Sequence, residues 1–253
     1  MSITCDPREN HILRALRQAE FELLEPHLEL ITMSRAEILF EANDKLQYIY
    51  FPVTATASLL CCLEDGTSVE VAMVGNEGIL GVSALLGGRN LALIQAIINV
   101  AGHGYRVSIK SLQNVLARSG GRRAGMLQKL LLRYAQTLFI QMSQTTACNR
   151  HHAIEQQLCC WLLLSFDRGH VNSLLMTQES IAYILGVRRE SITEAARKLQ
   201  QAGIINYHRG HIELKDKQKL EDTACECYKV KKEESIRLFT DFQNANKEAA
   251  SVW

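Results

Sequence analysis

The stretch TQESIAYILGVRRESITEAARKL, Thr177 to Leu199, decides how the chain is read. Thr177 can cap a helix by accepting an early backbone N–H, and Glu179 in the first turn suits the positive end of the helix dipole. Ile181, Ile184 and Leu185 give that helix one buried side, and Ala182 is small enough for a second helix to cross closely. Gly186 can take the left-handed conformation that ends it. Val187, Ile192, Ala195 and Ala196 then form the inner face of the second helix. Together these positions predict a helix-turn-helix.

What the inner face leaves outside carries the chemistry. Arg188, Arg189, Glu190, Thr193 and Glu194 project from the start and outer side of the second helix, the end that enters a major groove in such motifs. An arginine can pair with guanine O6 and N7, a glutamate can accept from cytosine N4, and threonine can contact a thymine methyl. Thr177, Gln178 and Arg197 are placed to hold phosphates. His208 and Arg209 join them at the tip of IINYHRGHIEL, a hairpin candidate with an Arg-Gly turn.

The chain has 253 residues, 47% of them apolar and 22% charged, with a net charge of +1. That supports two folded domains and excludes global disorder. The near-neutral balance also means that a polyanionic partner must be recognised by local charge placement. The opening residues lack a secretory pattern, and the eight cysteines include two adjacent pairs, so a reducing cytoplasm is expected. The longest apolar runs are shorter than the roughly 20 residues a membrane span needs.

Upstream, Arg8 to Leu30 is spaced as one or two short helices interrupted by Pro26. From Glu37 to Ser108, β-prone runs such as YIYF and SVEVAMV alternate with turn signals, which implies a sandwich or barrel. Leu112 to Leu116 reads as a short helix. Met126 to Thr146 contains no proline or glycine, and Leu127, Leu131, Tyr134, Leu138, Met142 and Thr145 recur at steps of three and four. That is the seam of a helix packing on another helix. Leu130, Phe139 and Ile140 widen its apolar surface, so a homodimer is expected; a central helix of one monomer's core fits the same pattern. Ile154 to Phe166 is a further helix, Lys217 to Phe242 a C-terminal helical segment, and Asn244 to Trp253 a polar, frayed tail.

Taken together, the β-rich segment, the seam helix, the linking helix and TQESIAYILGVRRESITEAARKLQQAGIINYHRGHIEL resemble the Crp/Fnr family of bacterial transcription regulators, over roughly Glu37 to Leu214. The resemblance implies an α+β fold: an N-terminal double-stranded β-helix (jelly roll), a long dimerisation helix and a C-terminal winged helix-turn-helix. The corresponding divisions are a sensor domain over 1–121, a dimerisation helix over 122–149, a DNA-binding domain with helical extension over 150–242, and the tail over 243–253. It also implies double-stranded DNA with a two-fold symmetric operator, a second copy of the chain and RNA polymerase as partners, and no enzymatic activity. The family's base-reading pattern is matched at Arg189, Glu190 and Ser191, the last taken as a backbone contact. It departs at Glu194, where members often carry an arginine, so a distinct half-site is expected, with Arg188 supplying the missing donor.

The sensor segment departs further. Cyclic-AMP-binding members carry Gly-Glu and, later, Arg-Ser or Arg-Thr, whereas Val82 follows Gly81 here and Ala92 and Leu93 stand near the second site. Cyclic AMP binding is therefore not expected. Gly81, Val82 and Arg89 mark a cavity for a different small effector. With only Cys5 ahead of the roll, an N-terminal iron-sulfur cluster is not expected either. Cys148, His151 and His152, and the pair Cys225 and Cys227, offer soft ligands, but neither group has a complete four-ligand spacing. No cofactor or metal is expected, and His103 alone makes no catalytic site. An alternative reading is a ligand-binding β-roll protein whose helix-turn-helix contacts other proteins; a metalloenzyme using the Cys and His groups is a third.

Overall fold

The computed structural model describes residues 5–86, 91–120 and 125–250, so Arg89 lies outside the described residues. The chain opens with two short helices, α1 (His11–Arg14) and α2 (Gln18–Leu24). Asn10 fixes the first: its side-chain oxygen accepts from the N–H groups of Ile12 and Leu13, and its amide donates to Pro52 O and Gly78 O at 2.9 Å each. The helical reading through Leu30 is corrected here, because β1 (Glu29–Met33) begins directly after the turn around Pro26 and pairs with the strand Gly102–Ser108. Proline ends the helix, and long-range pairing then determines the conformation of the residues beyond it.

Strands β2 (Ile38–Phe40), β3 (Tyr48–Pro52), β4 (Thr56–Cys62), β5 (Ser68–Val74), β6 (Gln95–Val100) and β7 (Gly102–Ser108) complete a roll of two antiparallel sheets, ordered β1-β7-β3 and β2-β6-β4-β5. The run SVEVAMV forms β5, but its polar residues Ser68 and Glu70 are buried while Val69 and Val71 are only half-buried. Its residues are buried or half-buried along the whole strand, because helices cover its outer face. Helix α3 (Ile109–Gly120) extends well beyond the five residues expected of it, starting where the Ser108 hydroxyl accepts from the Ser111 N–H.

Helix α4 (Met126–His151) leaves the roll and carries the chain to the second half. Its seam is corrected in one respect. Leu127, Leu131, Tyr134, Leu138 and Thr145 are buried against this same chain, and Met142 packs at the margin of the roll's core. Tyr134 shows why: its hydroxyl donates to Ile79 O at 3.0 Å, and its ring lies where any side chain at residue 78 would stand. The apolar side chains that α4 leaves outside are Leu132, 56% exposed, and Phe139, 71% exposed.

The second half comprises α5 (Ile154–Gly169), β8 (Ser173–Leu175), α6 (Gln178–Leu185), α7 (Arg189–Gln201), β9 (Ile205–His208) and β10 (His211–Leu214). The last two strands join β8 in a small sheet ordered β8-β10-β9. Helices α8 (Lys217–Thr223) and α9 (Glu226–Ala250) follow, so helix continues past the point where the sequence suggested a frayed tail. With no glycine or proline between Glu226 and Ala250, nothing local stops it. Residues 251–253 of that tail lie outside the described residues.

Two apolar cores result, one inside the roll and one among α5 to α9, and α9 contributes to both. Cys227 and Tyr228 at its start belong to the second core, while Leu238 enters the first. Phe239 meets the ring of His11 edge-on at 5.2 Å. Among the described residues, no helix is long and apolar enough to cross a membrane.

Candidate nucleic-acid interface

The helix-turn-helix forms as its residues dictate. Thr177 Oγ1 accepts from the Ser180 N–H at 3.0 Å, capping α6, and Gly186 closes it at φ 66°. Ile181, Ala182, Ile184, Leu185, Ile192, Ala195 and Ala196 are all buried in the second core. With the inner faces consumed, Arg188, Arg189, Glu190, Thr193 and Glu194 stand exposed together at the start and outer side of α7. Arg197 is exposed one turn further along, where it reaches Gln201 Oε1 at 3.1 Å, and Ser191 is half-buried at the rim.

Some of these side chains are already positioned by neighbours. Thr193 donates to Gln178 Oε1 at 2.7 Å and to Arg189 O at 3.0 Å, which links the first residue of α6 to the outer face of α7. Glu194 pairs with Lys198 at 3.6 Å, and Lys198 also reaches Glu155 at 3.5 Å. The carboxylate that departs from the family pattern is thereby partly neutralised from within the helix. His208 and Arg209 sit exposed at the hairpin tip, where Arg209 (φ 49°) and Gly210 (φ 79°) make a two-residue turn with both φ angles positive. The structure adds two candidates absent from the sequence reading, Lys198 and the exposed His211 beside the turn. The symmetry of HRGH was the available signal for the latter.

The domain that carries the reading helix is held against the roll through α5, α6 and β8. Ser68 of β5 donates to Tyr183 O at 2.7 Å, Arg35 donates to Leu175 O at 2.6 Å, and Arg168 pairs with Glu77 at 2.9 Å with both side chains largely buried. Glu70, also on β5, is buried and accepts from the Ser58 hydroxyl and, at 3.3 Å, from the Trp161 indole N–H of α5. Burial pushes the Glu70 carboxyl up to about 7, against the opposing effect of the Ser58 hydrogen bond and the Lys231 charge.

A cavity of about 370 Å³ lies between the roll and α4, lined by Phe40, Leu59, Ile79, Gly81, Val82, Leu138, Phe139 and Met142 among others. Gly81 and Val82, two of the three residues that the sequence suggested for an effector cavity, are part of this lining. Among the described residues the lining holds no charged side chain. Elsewhere, Cys148, His152, Cys225 and Cys227 come together, whereas His151 stays exposed and apart. Hydrogen bonds from the Cys148 thiol, and next from Cys160, hold Cys225 well below the ordinary thiol range and push the two donors up.

Residues 156–223 match the Crp-like helix-turn-helix domain. The chain thus carries a Crp-like helix-turn-helix domain, and with the two-sheet roll and long helix ahead of it the overall fold is similar to that of solved Crp/Fnr-family proteins. It is 24% identical over 212 residues to the global nitrogen regulator of Synechococcus elongatus, a span covering 81% of this chain and 92% of that protein. Its fold is similar to that of a putative Crp/Fnr-family transcriptional regulator from Eubacterium rectale, at TM-score 0.65, 16% identity and coverage of 84% of this chain and 96% of that one. FixK2 from Bradyrhizobium japonicum gives TM-score 0.61 at 17% identity, over 78% of this chain and 98% of that chain.

Proposed function

We propose that the chain is a cytoplasmic, homodimeric transcription regulator that reads a two-fold symmetric DNA operator through α7 and responds to a small apolar effector in its roll. The observation that carries this is the exposed set Arg188, Arg189, Glu190, Thr193 and Glu194 on a helix whose other side is buried. Thr177, Gln178, Ser191, Arg197, His208 and Arg209 flank that set and serve as backbone contacts. RNA polymerase is the further partner of such a regulator once it sits on DNA.

Leu132 and Phe139 support the dimer: they are large, apolar and exposed on one side of α4, where a second copy of the helix would bury them. Phe139 also lines the cavity, so an occupant would touch the helix that meets the partner. Effector binding would then shift α4 and, through α5, the spacing of the two reading helices, with effector and DNA affinities coupled reciprocally. Among the described residues the lining carries no charged side chain to pair with the phosphate of a cyclic nucleotide, which favours an apolar ligand.

The test is binding to duplexes drawn from the chain's genomic neighbourhood, titrated against salt. A sequence-specific complex whose affinity falls steeply with salt is expected. Binding no tighter than to unrelated duplexes, with and without cell extract, would sink the reading. In calorimetry with cyclic AMP, cyclic GMP and cyclic di-GMP, the expectation is no heat at micromolar concentrations; a micromolar isotherm would overturn the apolar-effector reading.

A further inference from the structure

The last turn of α4 and the turn between α8 and α9 meet at a point that includes no residue of the reading helix and none of the cavity lining. Cys148 lies one helical turn before His152, which caps α4 and whose backbone N–H donates to Cys148 O at 3.0 Å. Cys225 follows the α8 cap, and Cys227 sits in the first turn of α9. The four donor atoms of these residues all lie within 4.8 Å of one another. Cys148 Sγ and Cys225 Sγ are 3.5 Å apart, and Cys227 Sγ is 3.4 Å from His152 Nδ1.

Those separations have a chemical meaning. Two sulfurs at 3.5 Å are well short of bonding, since a disulfide requires about 2.05 Å. A tetrahedron with zinc–sulfur bonds of about 2.3 Å and a zinc–nitrogen bond of about 2.0–2.1 Å has edges of roughly 3.6–3.8 Å. The cluster is therefore within a few tenths of an ångström of that shape on the two measured edges.

The surroundings point the same way. His152 presents Nδ1 to the sulfurs while its other nitrogen, Nε2, lies 3.3 Å from Glu226 Oε2. A carboxylate holding the far N–H is the usual orienting partner of a metal-ligating histidine. The Gln144 side-chain amide donates to Cys227 Sγ at 3.2 Å, a contact that favours an electron-rich sulfur. The three cysteines are buried, and Lys231, 7% exposed, is close enough to act on Cys160 and Glu70. Three thiolates, a neutral imidazole and a divalent cation carry one net negative charge, which a buried ammonium offsets.

We propose that Cys148, His152, Cys225 and Cys227 bind a zinc ion, a closed Cys3His site with a structural role. Four protein ligands leave no open position for substrate or water. Its place defines what it holds: the end of α4, the entry to α5 and the start of α9 are tied at one point. Spacing alone does not identify it, because the two ligand pairs are more than seventy residues apart in sequence and meet only through the packing of α9 on α4.

The experiment uses the full chain, purified under reducing conditions without chelator. About one zinc per chain is expected by elemental analysis. Replacement by cobalt should give the thiolate-to-cobalt charge-transfer absorption of a tetrahedral site, and chelation should lower the melting temperature. Metal-free protein that takes up no cobalt, or a Cys148–Cys225 disulfide in its place, would overturn the proposal. Because cysteine substitutions here disturb a core, Glu226→Gln and His151→Ala supply the discriminating arms. Glu226→Gln should keep the fold by circular dichroism and weaken zinc by about 10- to 100-fold; unaltered affinity would speak against the ligand geometry. His151→Ala should leave stoichiometry unchanged, and loss of metal there would overturn the assigned donor set.

Discussion

Arg189 opens α7 with its side chain in solvent and with no acidic partner among the described residues, so its guanidinium is free to pair with a base edge. Arg189→Ala should weaken specific binding by about 1–3 kcal/mol and relax discrimination at one base pair. Competition binding against single-base operator variants reads this directly, and equal loss on every sequence would make Arg189 a phosphate contact. Glu70 yields a second residue-scale expectation. Its folded pKa, about 7, lies above its ordinary 4.5, so the fold favours the protonated carboxyl. The stabilisation is complete below about 4.5 and is lost as pH rises through about 7. Melting temperature should therefore decline between pH 5 and 8, and Glu70→Gln should flatten that slope; identical profiles for the two proteins would remove Glu70 as its source. The outward residues of α7 were legible in the sequence because helical spacing separates them from the inner set. Glu70 was not: alternation marks a strand residue, but only the packing of α5 on β5 reveals that its carboxyl is buried.

At the scale of elements, the helix-turn-helix depends on two conformational signals that the sequence carried openly. Thr177→Ala removes the cap on α6 and should cost about 1 kcal/mol. Gly186→Ala should cost more. It forces a side chain into a positive-φ position, by itself about 1–2 kcal/mol, and sets a Cβ 2.8 Å from Ser68 O on the roll. Thermal unfolding of the two variants should rank them in that order, and a Gly186→Ala protein as stable as wild type would refute the tight seating of the turn on β5. The α4 seam shows where periodicity stops being informative. A heptad-like stripe states that a helix has a packed side, but not whose atoms pack against it. Here the roll and α9 claim Leu127 to Thr145, and Leu132 and Phe139 remain for a partner. The start of β1 was obscured for a related reason, since Leu28 and Leu30 around it fit either period until pairing with β7 chose one.

For the molecule as a whole, the dimer makes a direct prediction. Leu132 is exposed and does not line the cavity, so Leu132→Glu disturbs the proposed helix contact without touching the effector site. In sedimentation, that variant should remain a monomer at concentrations where the unaltered chain is a dimer, and its affinity for a palindromic duplex should fall at least tenfold. A dimer of unchanged strength would place the interface elsewhere. The succession of a β-rich roll, a long helix and a helix-turn-helix was legible from turn spacing and helical periodicity, whereas the long return of α9 was not. Nothing in Glu226 to Phe239 announces that its far end belongs to the other core. That return has a mechanical consequence. Because α4 and α9 run together from the reading domain to the roll, the two halves are joined by a pair of rails and not by one flexible stalk. A pair of rails resists twisting and bending but allows sliding. The motion expected of an effector-driven change is therefore a shear along the shared axis, and distances between spin labels on the two halves should change along that axis with little change across it.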